Sequence, residues 1–196
     1  DLPAFRPGQF LVFKIPSGDA KDYVLRNYSL SGSPDDLRHY RISVKREAAA
    51  GPGLPEGLSS SYLHDSIDVG DVLQADGPRG EFTLDEASNR PVVLLSGGVG
   101  LTPMVAMMNA LANHSERRTL FLHACENGEV HALRSEVEAL VGKRAGLFAH
   151  YCYRTPSPED RAANRFHSEG FVTREVLQRL LCLDDYEVYL CGPPRS

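Results

Sequence analysis

The sequence predicts a β plus α/β chain: an antiparallel β-barrel over residues 1–88, followed by a parallel, doubly wound α/β domain over residues 89–196. Three observations predict it. The first part breaks into short alternating runs separated by turn residues, as in barrels and sandwiches. The second part alternates apolar strand-like runs with helical stretches, an order that demands crossover connections and so a parallel sheet. Between them lies the polar stretch DEASNRP, which reads as a linker.

Taken in order, GQFLVFKI alternates and is rich in β-formers. NYSLSG, HYRISVKRE, DVLQADGP and GEFTLD follow at turn-punctuated intervals and are expected as the remaining strands. One short helix is expected near SSSYLHDS. In the second part, PVVLLS is a continuous apolar run, as expected of a strand buried on both faces. LTPMVAMMNALANH has helical spacing, RTLFLHAC is a strand, and HALRSEVEALV is an amphipathic helix. LFAHYCYR is a third strand, TREVLQRLL a helix and EVYLCG a fourth strand. The segment from Thr155 to Gly170 is expected to be a surface loop.

Composition removes several classes of function. With 24% charged and 42% hydrophobic residues, the 196-residue chain is ordinary globular material, large enough for a core. Its net charge of −5 offers no footprint for nucleic acid or anionic membrane. No apolar run approaches the roughly 20 residues of a membrane span. The opening DLPAFRPGQF lacks the basic start and apolar block of a secretory leader. Cys125, Cys152, Cys182 and Cys191 form no C-x-x-C pair, so no metal site is expected and a reducing, cytoplasmic setting is. His123 and His131 flank ACENGEV without carboxylates at metal spacing, and surface or core roles are expected of them.

Three stretches carry chemistry. LLSGGVGLTP places Gly97, Gly98 and Gly100 between a strand and a helix. Glycines there let backbone approach a pyrophosphate, and the helix start supplies free N–H groups and a positive dipole end. Thr102 is expected as the N-cap and Pro103 as the first helical residue. The competing reading is a tight turn that packs helix on strand. RNYSLS sets Arg26 and Tyr28 on one strand face and Asn27 and Ser29 on the other. Arg suits a phosphate and Tyr a flat ring, although on these residues alone an exposed Arg beside a routine strand Tyr is the better explanation. The serines of LSSSYLH read either as caps or as an anion site at a helix start.

Together, FRPGQF, RNYSLS, YRISVKRE, SSYLHD, VGDVL, SGGVGLTPM, HACENGEVHAL, SEGFV and VYLCGP make the sequence resemble the ferredoxin-NADP reductase-like superfamily, above all the reductase module of bacterial flavohaemoglobins. The resemblance runs over nearly the whole chain. It implies an FAD-binding barrel followed by an NAD(P)-binding α/β domain, with hydride passing from NAD(P)H to FAD and single electrons passing onward. In flavohaemoglobins they reach a haem whose globin dioxygenates nitric oxide. The resemblance assigns FAD contacts to Arg26, Asn27, Tyr28 and Ser29, with Ser29 near the reactive flavin nitrogen. Phe10 takes the place of a usual Tyr. Lys45 and Glu47 match the strand lining the flavin site, and Ser60 and Ser61 the pyrophosphate helix start. Gly97, Gly98, Val99, Gly100, Leu101 and Thr102 match the coenzyme pyrophosphate turn. Cys191, Gly192 and Pro193 match the motif at the nicotinamide end, which makes Cys191 a neighbour of the transfer centre or a buried strand thiol.

The resemblance also implies a continuation beyond CGPPRS and a globin before the chain, or a separate haem-bearing acceptor. The loop AAAGPGLPEG looks longer than the family's usual one. The expected function is an FAD-dependent NAD(P)H oxidoreductase, in which the cofactors carry the chemistry and the protein aligns them. The alternative is a nucleotide-binding or partner-docking module without turnover of its own. Glu126 ends the second strand of the α/β half with no cation near it in the sequence, so NADH is expected over NADPH, the acid otherwise being a solvated loop charge.

Overall fold

A computed structural model of the chain describes residues 2–18, 22–49, 51–182 and 185–193. Ala50, inside the long loop, and the last three residues fall outside that set. Two sheets are formed. The first contains β1 (Phe10–Pro16), β2 (Tyr23–Ser29) and β3 (Ala75–Arg79), antiparallel in the order β2-β1-β3. Alternation in FLVFKIP turns Leu11, Phe13 and Ile15 inward, where they meet Phe5 and Leu30. Helix α1 (Leu58–Asp65) packs Tyr62 and Leu63 against this core.

The second sheet holds β4 (Val92–Gly97), β5 (Thr119–Cys125), β6 (Leu147–Tyr153), β7 (Ser168–Glu169) and β8 (Glu187–Cys191), parallel in the order β7-β6-β5-β4-β8. Order therefore reverses at β4, the strand that ends in the glycine turn. Ligands in open α/β sheets bind at such a switch point. Helix α2 (Leu101–His114) follows it, then α3 (Arg134–Val141), α4 (Pro158–Ala162) and α5 (Arg174–Leu180).

Every residue of α2 from Leu101 to Leu111 is buried. Met104, Met107 and Met108 join the core of the α/β half, while Ala106 joins the core of the first half. One helix thus serves both parts. Polar bonds pin it further. Asn109 Nδ2 donates to Glu136 Oε1 at 3.1 Å, and the Glu136 carboxylate also pairs with Arg41 at 2.8 Å. Asp35 accepts from Asn113 at 2.9 Å and pairs with His114 at 2.6 Å.

Several expectations change. HYRISVKRE makes only the isolated bridge Leu30–Ile42: Ser31 N–H bonds the Arg41 carbonyl, and the Arg41 side chain folds back onto the Ser31 carbonyl and hydroxyl and reaches Glu136. GEFTLD forms no strand. Its Leu84 N–H bonds the Pro7 carbonyl and its side chain plugs the α/β core. Residues 155–170 hold α4 and β7 rather than loop alone. Ser157 caps α4 in a reciprocal pair with Asp160, with Pro158 at the first turn.

The α/β half is closed at the base of its sheet by a buried ion pair. Glu187 meets Arg117 at 2.6 Å, both almost fully buried, and Arg90 at 2.9 Å from a more exposed side. Burial alone would raise the Glu187 pKa, but hydrogen bonds from Ser88, Arg117 and Arg90 outweigh it and hold the carboxyl at about 2. Glu187→Gln leaves Arg117 without its counter-charge. Urea unfolding at neutral pH is expected to show a loss of about 2–3 kcal/mol, at the low end for broken buried pairs because Arg90 opens one side to solvent.

Candidate functional site

The two halves meet at a cleft of about 380 Å³, a size usual for ligand sites, which run from about 300 to 1,000 Å³. Arg26, Asn27, Tyr28 and Ser29 line it from β2; Gly57, Ser59 and Ser60 line it from the start of α1; Gly100, Thr102 and Cys191 close it from the α/β half. Strict alternation would expose only one of the pairs Arg26/Tyr28 and Asn27/Ser29. All four line the cleft because β2 is an edge strand and the cleft wraps around it.

The side chains differ in what they have left to offer. Tyr28 packs edge-on against Phe13, with ring centroids 5.8 Å apart, and burial raises its pKa despite Arg26. It is a neutral phenol on an apolar base. The Arg26 guanidinium bonds only its neighbour's carbonyl, Leu25 O at 2.9 Å, among the hydrogen bonds described. Lys45 and Glu47 pair with each other at 3.3 Å along the rim. Ser60 Oγ is committed: it donates to Gly57 O at 3.0 Å and accepts from Glu47 N at 3.1 Å. Ser61 turns away to Glu56 at 3.0 Å and does not line the cleft. The hydroxyl that sequence reasoning missed is Ser59 Oγ, buried, lining the cleft and without a partner among the described residues. An orphaned donor at a helix start fits an anionic oxygen. Phe10 stands outside the cleft lining and lays its ring over Gly80.

The glycine turn is built by three different constraints. Gly97 ends β4 in extended backbone. Gly98 opens the 3₁₀ turn Gly98–Gly100 at φ +52°, and a Cβ there would point into open space. Gly100 is pressed against β8: a Cβ would collide with the Cys191 carbonyl and lie 2.8 Å from Gly192 N. Thr102 is not the N-cap. The helix starts at Leu101, two residues before the expected Pro103, with Gly100 as its N-cap, and Thr102 Oγ1 donates back to Val99 O at 3.2 Å. No side chain caps α2 and no acid sits in its first turn; its Leu101 N–H is spent on the Gly98 and Val99 carbonyls and Pro103 has no N–H, so the helix start offers the positive end of its dipole rather than a row of open amides. Burial raises the Cys191 thiol pKa, which keeps it protonated rather than a thiolate.

Two further clefts flank Gly98. One of about 360 Å³ runs between Val44, Lys45, the turn residues Gly98, Val99, Leu101 and Thr102, and Glu126, Val130, Ala132 and Leu133. The other, about 190 Å³, joins Gly98, Glu126, Arg154, Phe171 and Pro193. Here the structure supplies the cation that the sequence lacked. Arg154, directly after β6, pairs with Glu126 at 2.6 Å. The Thr155 hydroxyl bonds the other carboxylate oxygen, and together they lower the Glu126 pKa.

The comparisons with known proteins agree with this geometry. Residues 3–84 match the model of the oxidoreductase FAD-binding domain, and residues 94–195 that of the oxidoreductase NAD-binding domain. The chain belongs to this FAD- and NAD-binding oxidoreductase family. Flavohemoproteins of Bacillus subtilis and Bordetella pertussis are 40% and 41% identical over 194 and 192 residues, 98% and 97% of this chain. The chain covers 46% and 47% of those relatives, about half their length. The flavohem-like FAD/NAD-binding domain of Vibrio cholerae nitric oxide dioxygenase superposes with a TM-score of 0.79 at 28% identity, covering 98% of this chain and 87% of that one. The cytochrome b5 reductase domain of Ulva prolifera nitrate reductase gives 0.83 at 25% identity, covering 99% and 77%. The expected architecture and cofactors, FAD and NAD(P)H, therefore stand, and the chain is an NAD(P)H–flavin oxidoreductase. No helix among the described residues is long and apolar enough to cross a membrane.

The turn generates a test. Gly98→Val forces a β-branched residue to positive φ and fills the space before the turn. Coenzyme-driven flavin reduction is expected to collapse while the flavin spectrum persists. Loss of FAD with coenzyme affinity intact would reverse the assignment of the two halves.

Proposed function

We propose that this module draws electrons from NADH and delivers them, through FAD, to a haem-bearing acceptor such as a globin, in the same chain or a separate one. The observation that carries this is the cleft itself, in which Tyr28 and Ser29 from the flavin half face Gly100 and Cys191 from the coenzyme half. The flavin, when bound, converts two-electron transfer from the coenzyme into single-electron transfer to the acceptor. The residues position and shield. Arg26 and Ser59, with the α1 amides, hold the flavin's phosphates; Tyr28 supports its ring; Ser29 places a hydroxyl at the ring edge. Asn27, Lys45, Glu47 and Ser60 complete that wall, Ser60 by fixing the helix start. On the coenzyme side, Gly97 to Thr102 receive the pyrophosphate. Gly192, Pro193 and the neutral Cys191 thiol border the nicotinamide end and exclude water from it. Phe10 and Ser61 act at one remove, Phe10 by its ring over Gly80 and Ser61 by its bond to Glu56. The 1–88 and 89–196 boundaries accord with the two sheets and the linker between them. Four cysteines without a disulfide among them support a cytoplasmic setting.

The decisive experiment is anaerobic addition of NADH to the FAD-loaded protein. Bleaching of the flavin absorbance, followed by reduction of an added ferric globin, is the expected outcome. A stable spectrum would make the chain a docking module without turnover. Arg26→Ala is expected to weaken FAD binding about tenfold to a hundredfold, from the loss of one charge-assisted phosphate contact. An unchanged FAD titration would remove Arg26 from the site.

Coenzyme choice follows from the Glu126–Arg154 pair. The Arg154 charge is already engaged by Glu126, which also repels an added phosphate, so NADH is favoured. Glu126→Gln releases Arg154 and is expected to raise kcat/KM for NADPH relative to NADH severalfold at fixed ionic strength. A wild-type preference for NADPH would refute this arrangement.

A further inference from the structure

His123 and His131 have no part in the site described so far, yet both are buried. The strand registers show where. Cys191, Ser96, His123 and Tyr151 stand opposite one another on β8, β4, β5 and β6, one rung across the sheet. That rung lies directly before Gly97 and the coenzyme turn. Ser96 Oγ meets His123 Nδ1 at 2.9 Å. The His123 ring leans on His131, with centroids 4.7 Å apart, and His131 Nδ1 bonds the Tyr153 hydroxyl at 2.8 Å. Tyr151 packs edge-on against His131 at 4.6 Å.

His131 belongs to the connection 126–133 between β5 and α3. That connection is held at its other end by Gly128 N–H, which donates to Asp160 at 3.0 Å, and by Asn127, whose side chain accepts from Glu129 N at 3.1 Å. Just after His131, Leu133 stands at φ +55°, uncommon for a bulky residue and sustained only where the surroundings over-determine it. The connection is one wall of the 360 Å³ cleft, through Glu126, Val130, Ala132 and Leu133; the glycine turn is the facing wall. The file Ser96–His123–His131–Tyr153 therefore joins the back of one wall to the foot of the other.

We propose that His131 is a positioning residue: anchored by Tyr153 and packed on the Ser96–His123 pair, it sets the spacing between the 126–133 wall and the glycine turn, and through that spacing the affinity for the nicotinamide coenzyme. This rests on the assignment of the turn as the coenzyme site. Neutral rings suit such a file. Burial pushes His123 down to about 4 and His131 to about 3. The groups facing His131 are His123 and Tyr151 on the rung, Tyr153 on β6, Arg134 on α3 and Asp160 on α4; the first and Arg134 also lower its pKa, and Asp160 opposes them weakly.

The test uses full-length, FAD-loaded protein. His131→Phe keeps an aromatic ring and removes the hydrogen bond; Tyr153→Phe removes the same bond from the other side with the smallest change of shape. His131→Asn restores an acceptor near the Nδ1 position. NAD⁺ titration, read from flavin absorbance, is expected to give about fivefold to thirtyfold weaker binding in both Phe variants, as for loss of one buried hydrogen bond. FAD affinity should be unchanged, His131→Asn should recover much of the loss, and in turnover KM for NADH should rise with kcat kept. Amide exchange at Gly97–Gly100 and at 126–133 should quicken in the Phe variants without any coenzyme present. Wild-type affinity and exchange in both Phe variants would overturn the proposal. If the wild-type protein itself fails to bind NAD⁺, the coenzyme assignment falls, and the exchange rates alone decide whether His131 couples the two walls.

Discussion

The burial of α2 on all its sides is the constraint on which the rest depends. A helix that meets one core needs one apolar stripe, but α2 meets two, and its sequence is apolar or small through nearly three turns. Its one interior amide, Asn109, spends its N–H groups on the Val105 carbonyl and on Glu136, and Glu136 in turn takes Arg41 from the first half. The helix has no freedom to roll without stranding one of these groups. Because its first residue follows directly on the glycine turn, the turn inherits that rigidity. Gly8 shows how closely the halves are fitted, since a Cβ there would lie 2.7 Å from the end of Met107.

What could be read from the sequence follows from distance along the chain. The glycine turn was legible because strand, turn and helix are contiguous in LLSGGVGLTP, and the parallel sheet because strands and helices alternate; the switch at β4 was not, since it depends on β8 pairing with β4 from about 90 residues further along the chain. The arrangement of hydroxyls at α1 was not. Three consecutive serines look equivalent in one dimension, and only the fold shows Ser60 used as a brace, Ser61 turned to Glu56 and Ser59 left open to the cleft. Arg154 was invisible for a different reason. It is 28 residues beyond Glu126, and the register of β5 with β6 brings the two strand ends together. HYRISVKRE misled because alternation reports two faces but not whether a partner strand exists. Arg41 and Ser43 instead use their side chains on Glu136 and Ser31.

The site is built with little acid–base machinery. Near the cleft the thiols are held neutral by burial, Cys125 up to about 12 and Cys191 above its ordinary value. The buried imidazoles are neutral as well. What the protein supplies is placement: an unpartnered hydroxyl at the start of α1, a phenol on an apolar bed, and a backbone without side chains at the glycine turn. Such a site suits redox cofactors, whose own rings hold the reactive atoms.

The distribution of the four cysteines has a practical consequence for anyone handling the protein. Cys152 is buried, and Cys125 and Cys191 are half-buried with raised pKa values, whereas Cys182, just past α5, is exposed. A maleimide or a gold surface would therefore find one thiol well ahead of the others. Its place at the far end of α5 puts the attachment on the α/β half, outside the residues that line the flavin cleft. A fluorophore or an electrode linker could be carried there with the flavin cleft left clear.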